Sequence, residues 1–573
     1  MKINTFVAGA TMLLVVVYAL VLNFKPDEYG DMARFIPDNA LIYFEQHDGT
    51  NWFDRIATSH LGKKIRSIDI VTTAKKLGLS NDIPIGIEDI ITNIGKADKL
   101  GLIEEFFGNK LAVALLPPLN SSTKDNPLDF LRANVVVVTK PGHNAEMLEF
   151  IGRNYSNQQE SIEVTNHQYG NHRIQRIITG KERLSLVTID GFFLLSFNER
   201  QLRHTIDVYD SKLKTLSLNR EFIEQRSNFS KPTRFIYLPI ENMRNELYNI
   251  ANTYEFSQKE LFLKELKTTT GFTSVGYGAW QGLKRVDDRV VVQYERTSVS
   301  DLVKNHLVVP PSKSTMFSLT SAKPMLYYWS NAFNFSHFLL YLEDDPGPDS
   351  KYVKFLHNLE ISANMSGKEV FTLLGQQVSF NIEQIPKNTR FPVPLGVIFI
   401  ELKDVEKIKS TLQNLIYLYD IPMIKRKYGS ISYYYWYRSF QDGLQPLYGF
   451  WHQYLFLANS SGLLKTVIDR NIAGKTIFSD LVSHELDPGL REKNNSITYT
   501  NNVDILDLLK QSLYLIATAV TIQNREAAAK MRIIIEEIVT PVFEGAKMYN
   551  ISVTRSFFSD NKIIIESHTN IIN

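Results

Sequence analysis

The sequence predicts an α+β fold: two diverged copies of a mainly antiparallel sheet with helices on one face, after one N-terminal transmembrane helix. Three observations predict it. The order strand, strand, helix, strand, strand, strand, helix occurs twice, at a spacing of roughly 265 residues. Strand-like runs outnumber helix-like runs and follow one another as meanders, which favours antiparallel pairing. An uncharged run fills residues 3–24.

That run comes first. Lys2 precedes it and Lys25-Pro26-Asp27-Glu28 closes it. A bilayer core takes about 20 apolar residues as a helix. Two readings stay open: a retained signal-anchor, and a signal peptide cleaved after Ala19, where Val17-Tyr18-Ala19 is a tolerable small-residue site. Leu20 to Phe24 carry the apolar run past Ala19, which favours retention. The bulk of the chain is placed outside because the segment is N-terminal, since Lys2 and Lys25 give little charge bias. Val503 to Ile522 is the most apolar later stretch. It carries Asp504, Asp507, Lys510 and Gln511, and so is expected to be an amphipathic core helix.

The repeat extends through successive elements of the two halves. Leu111 to Leu116 and Val378 to Ile382 are strand-like runs, each after a glycine turn. Asn134 to Thr139 and Val397 to Glu401 are β-branched or apolar runs of the kind found in central strands. Helices follow at Asn144 to Ile151 and at Asp404 to Leu415, with Asn144 and Asp404 as N-caps. Tyr169-Gly170 and Tyr428-Gly429 then open the next strands, His172 to Ile178 and Ile431 to Tyr437. Leu184 to Ile189 and Gly191 to Phe197 match Leu447 to Trp451 and Tyr454 to Ala458. Helices with Leu202 and Ile206, and with Leu464 and Ile468, complete the set. The flanks correspond as well: Pro37 to Phe44 with Pro311 to Ser318, and Arg234 to Leu238 with Ser496 to Thr500. The halves close at Val290 to Glu295 and Lys562 to Glu566. The expected division is a signal-anchor at 1–30, a first α+β repeat at 31–300 and a second at 301–573.

Composition narrows the chemistry. The 573 residues are 44% hydrophobic and 22% charged, an ordinary globular balance. Sixty-three basic residues against 61 acidic ones leave a net charge of +2, without the basic field that binds nucleic acid. There is no cysteine, which excludes disulfides, thiol catalysis and thiolate metal sites. The 27 tyrosines and 34 phenylalanines suit large cross-strand contacts.

No motif demands a catalytic or cofactor reading. Ala473-Gly474-Lys475-Thr476 resembles the end of a phosphate loop, but Asp469 stands where the first glycine is needed, and a polar turn is expected. His167 and His172 are five apart with no carboxylate at metal-ligand spacing. His484-Glu485 lacks the second histidine of a zinc-protease helix. His47-Asp48 ends a strand at a turn. All are expected to be surface or turn histidines. The acidic loop Glu343 to Asp349 lacks the alternating ligands of a calcium loop. Tyr433 to Tyr437 puts aromatics on both faces of one strand. Tyr434 and Trp436 are the candidate ligand-facing residues there, with burial between layers as the alternative. No metal, nucleotide or redox cofactor is expected.

Phe35-Ile-Pro-Asp-Asn-Ala-Leu-Ile-Tyr-Phe44, a proline turn opening a strand just after an N-terminal span, resembles a bacterial family of anchored, internally repeated envelope proteins known as a domain of unknown function. The resemblance implies single-pass attachment to the bacterial inner membrane, with the C-terminal bulk in the periplasm, and brings no catalytic residues. The expected function is a membrane-anchored periplasmic scaffold or adaptor without catalytic activity. Its partners would be the bilayer, through residues 3–24, and envelope proteins. The alternative is a periplasmic module for lipid or another apolar ligand.

Overall fold

A computed structural model describes residues 32–47, 58–78, 110–119, 127–140, 162–179, 182–253, 259–320, 324–335, 351–383, 393–437, 444–475 and 486–572. The expected anchor at 1–30, the helix Asn144 to Ile151, the loop Glu343 to Asp349 and His484-Glu485 lie outside these residues.

Ten strands belong to the first part of the chain: β1 (Ile42–His47), β2 (Lys110–Leu115), β3 (Val135–Lys140), β4 (Ile162–Tyr169), β5 (His172–Thr179), β6 (Glu182–Ile189), β7 (Phe192–Ser196), β8 (Arg234–Pro239), β9 (Phe272–Gln281) and β10 (Arg285–Tyr294). Ten follow: β11 (Pro324–Ser330), β12 (Leu374–Glu383), β13 (Leu395–Leu402), β14 (Met423–Tyr428), β15 (Ile431–Trp436), β16 (Leu447–Trp451), β17 (Tyr454–Ala458), β18 (Ser496–Asn501), β19 (Tyr549–Ser559) and β20 (Lys562–Ile571). All twenty join one sheet. From one end the antiparallel pairings run β4-β5-β6-β7-β3-β2-β1-β8-β9-β10. From the other they run β14-β15-β16-β17-β13-β12-β11-β18-β19-β20. The two series meet where β10 pairs with β20.

The helices that matter here are α1 (His60–Arg66), α2 (Ile70–Lys76), α3 (Glu199–Tyr209), α4 (Arg220–Ser227), α5 (Ile240–Thr253), α6 (Val405–Leu418), α7 (Ser461–Ile472), α8 (Asn502–Gln523), α9 (Arg525–Ile534) and α10 (Thr540–Ala546). Side-chain caps start several of them: Asn198 accepts from Arg200 N, Asp404 from Lys407 N and Ser460 from Leu463 N.

Two expectations need correction. Helices cover both faces of the sheet, not one. Along β13, Val397 and Phe399 pack with Leu463, Leu464, Val467 and Ile468 of α7. Ile400 and Leu402 pack with Ile408 and Leu415 of α6. Odd and even residues of a strand point to opposite faces, so the two helices sandwich it. In the first part, Val136 and Val138 share a core with Leu202 and Ile206 of α3. The second correction concerns Pro311 to Ser318, which is not strand beyond a single bridge between Ser312 and Asn494. The strand that pairs as β1 does begins at Pro324.

One arm crosses between the two parts. Helix α1 packs on α10 and α2 on α9. Gly545 allows the approach, because a Cβ there would lie 2.8 Å from Leu61 Cα. Lys76 Nζ and Glu537 Oε1 close the contact at 2.6 Å.

Candidate functional site

The most unusual surface is α8. It is the one helix among the described residues long and apolar enough to cross a membrane. The expectation of a core helix is overturned: Ala517 alone is fully buried, and Leu509, Leu515, Ile516 and Ile522 are exposed, Ile522 at 89%. The floor beneath explains this. Asn502 Nδ2 donates to Ser552 Oγ at 2.8 Å. Ser552 and Thr569 hydroxyls lie 2.9 Å apart, and Thr554 Oγ1 donates to Ser567 at 3.0 Å. Hydroxyls line much of the sheet face beneath, which leaves less apolar area to cover the helix: Leu509, Leu515, Ile516 and Ile522 stay exposed while Leu506 and Leu513 are half-buried. Lys510 Nζ to Glu544 at 3.3 Å and Lys547 Nζ to Asp507 at 2.7 Å tie the helix to α10 and the residue following it.

Charged groups gather in three places, each assembled by tertiary contact. Glu45, His47 and Arg226 form the first. His47 and the Arg226 guanidinium both contact the Glu45 carboxylate, with a second Arg226 bond at 3.1 Å. Burial alone would push the Glu45 carboxyl up; Arg226 and the hydrogen bond to His47 outweigh it and hold the pKa at about 2. His47 is buried, so it is not a surface histidine; Asp48 lies outside the described residues.

The second gathers on α3. His167 Nε2 sits 2.6 Å from Glu199 Oε1 and His172 Nε2 2.9 Å from Asp210 Oδ1. Arg176 and Arg203 also contact Glu199. Burial raises the Glu199 pKa, but the hydrogen bonds from Arg176, His167 and Arg203 hold it down at about 2. These histidines clip the β4–β5 hairpin to α3; both are half-buried, and His172 closes the turn of that hairpin.

The third lies near the centre of the sheet. Burial, then the neighbouring Asp287 charge, push the Asp288 carboxyl up to about 6, although Tyr277 hydrogen-bonds to it and Arg234 is near. Burial and Asp288 push the Tyr277 hydroxyl up to about 12.

Both Tyr-Gly signals acquire a physical role. Tyr169 OH donates to Asp207 at 2.9 Å, with Arg203 over its ring at 4.8 Å. Tyr428 OH lies 2.9 Å from an Asp469 oxygen, with Lys465 over its ring at 5.4 Å. The following glycines, Gly170 and Gly429, have φ of 57° and 56°, as tight hairpin turns require. Both hydroxyl–carboxylate bonds lie close to solvent, so each is expected to contribute little to stability. Tyr169→Phe and Tyr428→Phe should therefore lower stability by similar small amounts in chemical denaturation.

Tyr434 is half-buried and stacks on Tyr448, with centroids 5.1 Å apart and planes at 15°. Tyr433 is buried on the opposite face with the α7 core. Trp436 is half-buried at the end of β15, opposite Met423. Ala473 caps the C-terminus of α7, and Gly474 follows at φ 65°. That is the carbonyl end of a helix, the wrong pole for phosphate; Thr476 lies outside the described residues. Among the described residues no three His, Asp or Glu side chains are grouped to hold a metal ion. Sequence reasoning missed Glu45, Arg226, Asp288 and Tyr277, and no local spacing signals them.

The fold thus defines the class: an α+β protein with a large antiparallel sheet. No family model matches the chain. No curated protein matches it either. Two solved structures of TP0453, crystal forms III and IV, are similar at 8% and 9% identity. They cover 49% and 46% of this chain and 86% and 80% of that chain, with TM-scores of 0.25 and 0.24. Likeness at that TM-score bears on neither fold detail nor function.

Proposed function

We propose that this chain is a membrane-anchored, non-catalytic scaffold of the bacterial envelope, built from two diverged copies of one unit and docking a protein partner on the apolar side of α8. The exposed α8 carries the reading. Its uncharged stretch, Gln511 to Gln523, spans about 20 Å as helix, against the roughly 30 Å of a hydrocarbon core. It also includes Ser512, Thr518 and Thr521. Such a surface suits a protein partner with its own apolar patch better than the bilayer interior. Tethering through residues 3–24 would raise the local concentration of any partner in the same membrane. The duplication is supported by the shared pairing order and by the matching Tyr–Asp–cation sets.

The test is a photo-crosslinking side chain at Leu515 or Ile522 in cells, with Ile223, exposed on α4, as control. Discrete protein adducts are expected at both positions and absent when Ile516→Lys is added. Adducts to lipid alone would overturn the scaffold and favour the apolar-ligand module. In that case Tyr434→Ser with Trp436→Ser should strip a co-purifying lipid without much loss of stability.

A further inference from the structure

The junction of β10 and β20 is not an arbitrary strand pair. Equivalent residues of the two parts can be found by walking across matched registers. Tyr43 faces Tyr237, and Tyr327 faces Tyr499; all four are buried. Tyr237 faces Gly276 and Tyr499 faces Val553. Gly276 then faces Val291, and Val553 faces His568. Counting back two residues on each strand makes Arg289 the counterpart of Glu566. These two residues face each other across the junction. In an antiparallel pair of equivalent strands only the residue on the two-fold axis can meet its own counterpart. The Arg289–Glu566 pair, at 2.6 Å, therefore marks that axis.

On one side of the axis, Val290, Val291 and Val292 face Ile565, Ile564 and Ile563. On the other side Asp288 faces Ser567, and Asp287 faces His568 at 3.6 Å. Apolar meets apolar and ionic meets polar. Self-pairing about the same axis would destroy this match. A β10–β10 pair would set Arg289 against Arg289 and Val290 and Val291 against Asp288 and Asp287. A β20–β20 pair would set Glu566 against Glu566 and the isoleucines against Ser567, His568 and Thr569. Like charges directly opposite are unfavourable, and so is an apolar run facing carboxylates.

We propose that the β10–β20 seam is a recognition surface through which the first half selects the second half and rejects its own kind, whether the partner half lies in the same chain or in a second copy. It rests on the equivalence of the halves and not on the scaffold reading. The strand sequence itself supplies both the attractive and the repulsive element.

The full chain, with a protease site inserted after exposed Val308, tests this. Cleavage is expected to leave a one-to-one complex of unlike halves at micromolar concentration on size exclusion. In three variants a residue of β20 is exchanged for its first-half counterpart. Glu566→Arg and Ile565→Asp should weaken the nicked complex at least tenfold, whereas Thr569→Val, facing Val286, should leave it intact. Glu566→Gln should fall between wild type and Glu566→Arg, because it removes the attraction without adding a repulsion. Halves that separate on cleavage of the wild type, or that pair with themselves, would overturn the proposal. So would a Glu566→Arg complex as tight as wild type.

Discussion

Arg226→Met is expected to destabilise the purified protein by about 3–5 kcal/mol, because it strands a carboxylate in the core. Glu45 lies at 2% exposure between β2 and β8, and the guanidinium from α4 is its main neutralising partner beside His47. Adding Glu45→Gln should recover most of the loss, since the uncompensated charge goes with it. The pH dependence has a definite sign. The folded pKa of Glu45 is depressed, so its contribution is complete above the unfolded value of about 4.3 and is lost as pH falls toward 2. Denaturation midpoints between pH 5 and pH 2.5 should fall less in Arg226→Met than in wild type. A single-variant loss under 1 kcal/mol would show that His47 alone satisfies the carboxylate.

Asp288→Asn should do the opposite and stabilise. Burial raises the folded pKa of Asp288 to about 6, so the native state holds a proton that the unfolded chain releases near 4. That group's contribution is complete below the unfolded value and is lost as pH rises through about 6. The cost of ionising it in place is about 2 kcal/mol, allowing for the solvent that reaches it. The variant should be more stable than wild type by that amount at pH 8 and indistinguishable from it at pH 4. Equal stability at both pH values would mean that Arg234 already compensates the charge.

Much of the sheet was legible because strand signals are local. The runs at Leu111 to Leu116, Val397 to Glu401 and Leu447 to Trp451 sit where short apolar runs bounded by turn residues put them. The Tyr-Gly turns were visible for the same reason. Helix α8 was placed correctly along the chain but wrongly in space. It was read as a core helix, and only the pairing of Ser552 and Thr554 with Thr569 and Ser567 shows how much of the floor is polar. The carboxylates that hold His167 and His172 lie 32 and 38 residues away, beyond any spacing rule. The two-faced cover of β13 was hidden because an apolar run without alternation says that both faces are buried, not by what.

The junction at Arg289 and Glu566 also sets a timetable. These residues are 277 apart in the chain, and synthesis proceeds at about 5–20 residues per second. For about 15–55 s, the emerging chain presents β10 with its Val290 to Val292 edge and no β20 to receive it. A bare apolar edge is an invitation to any other extended segment nearby. Asp287, Asp288 and Arg289, set next to the valines on the same strand, act in that interval as gatekeepers against neighbouring nascent chains.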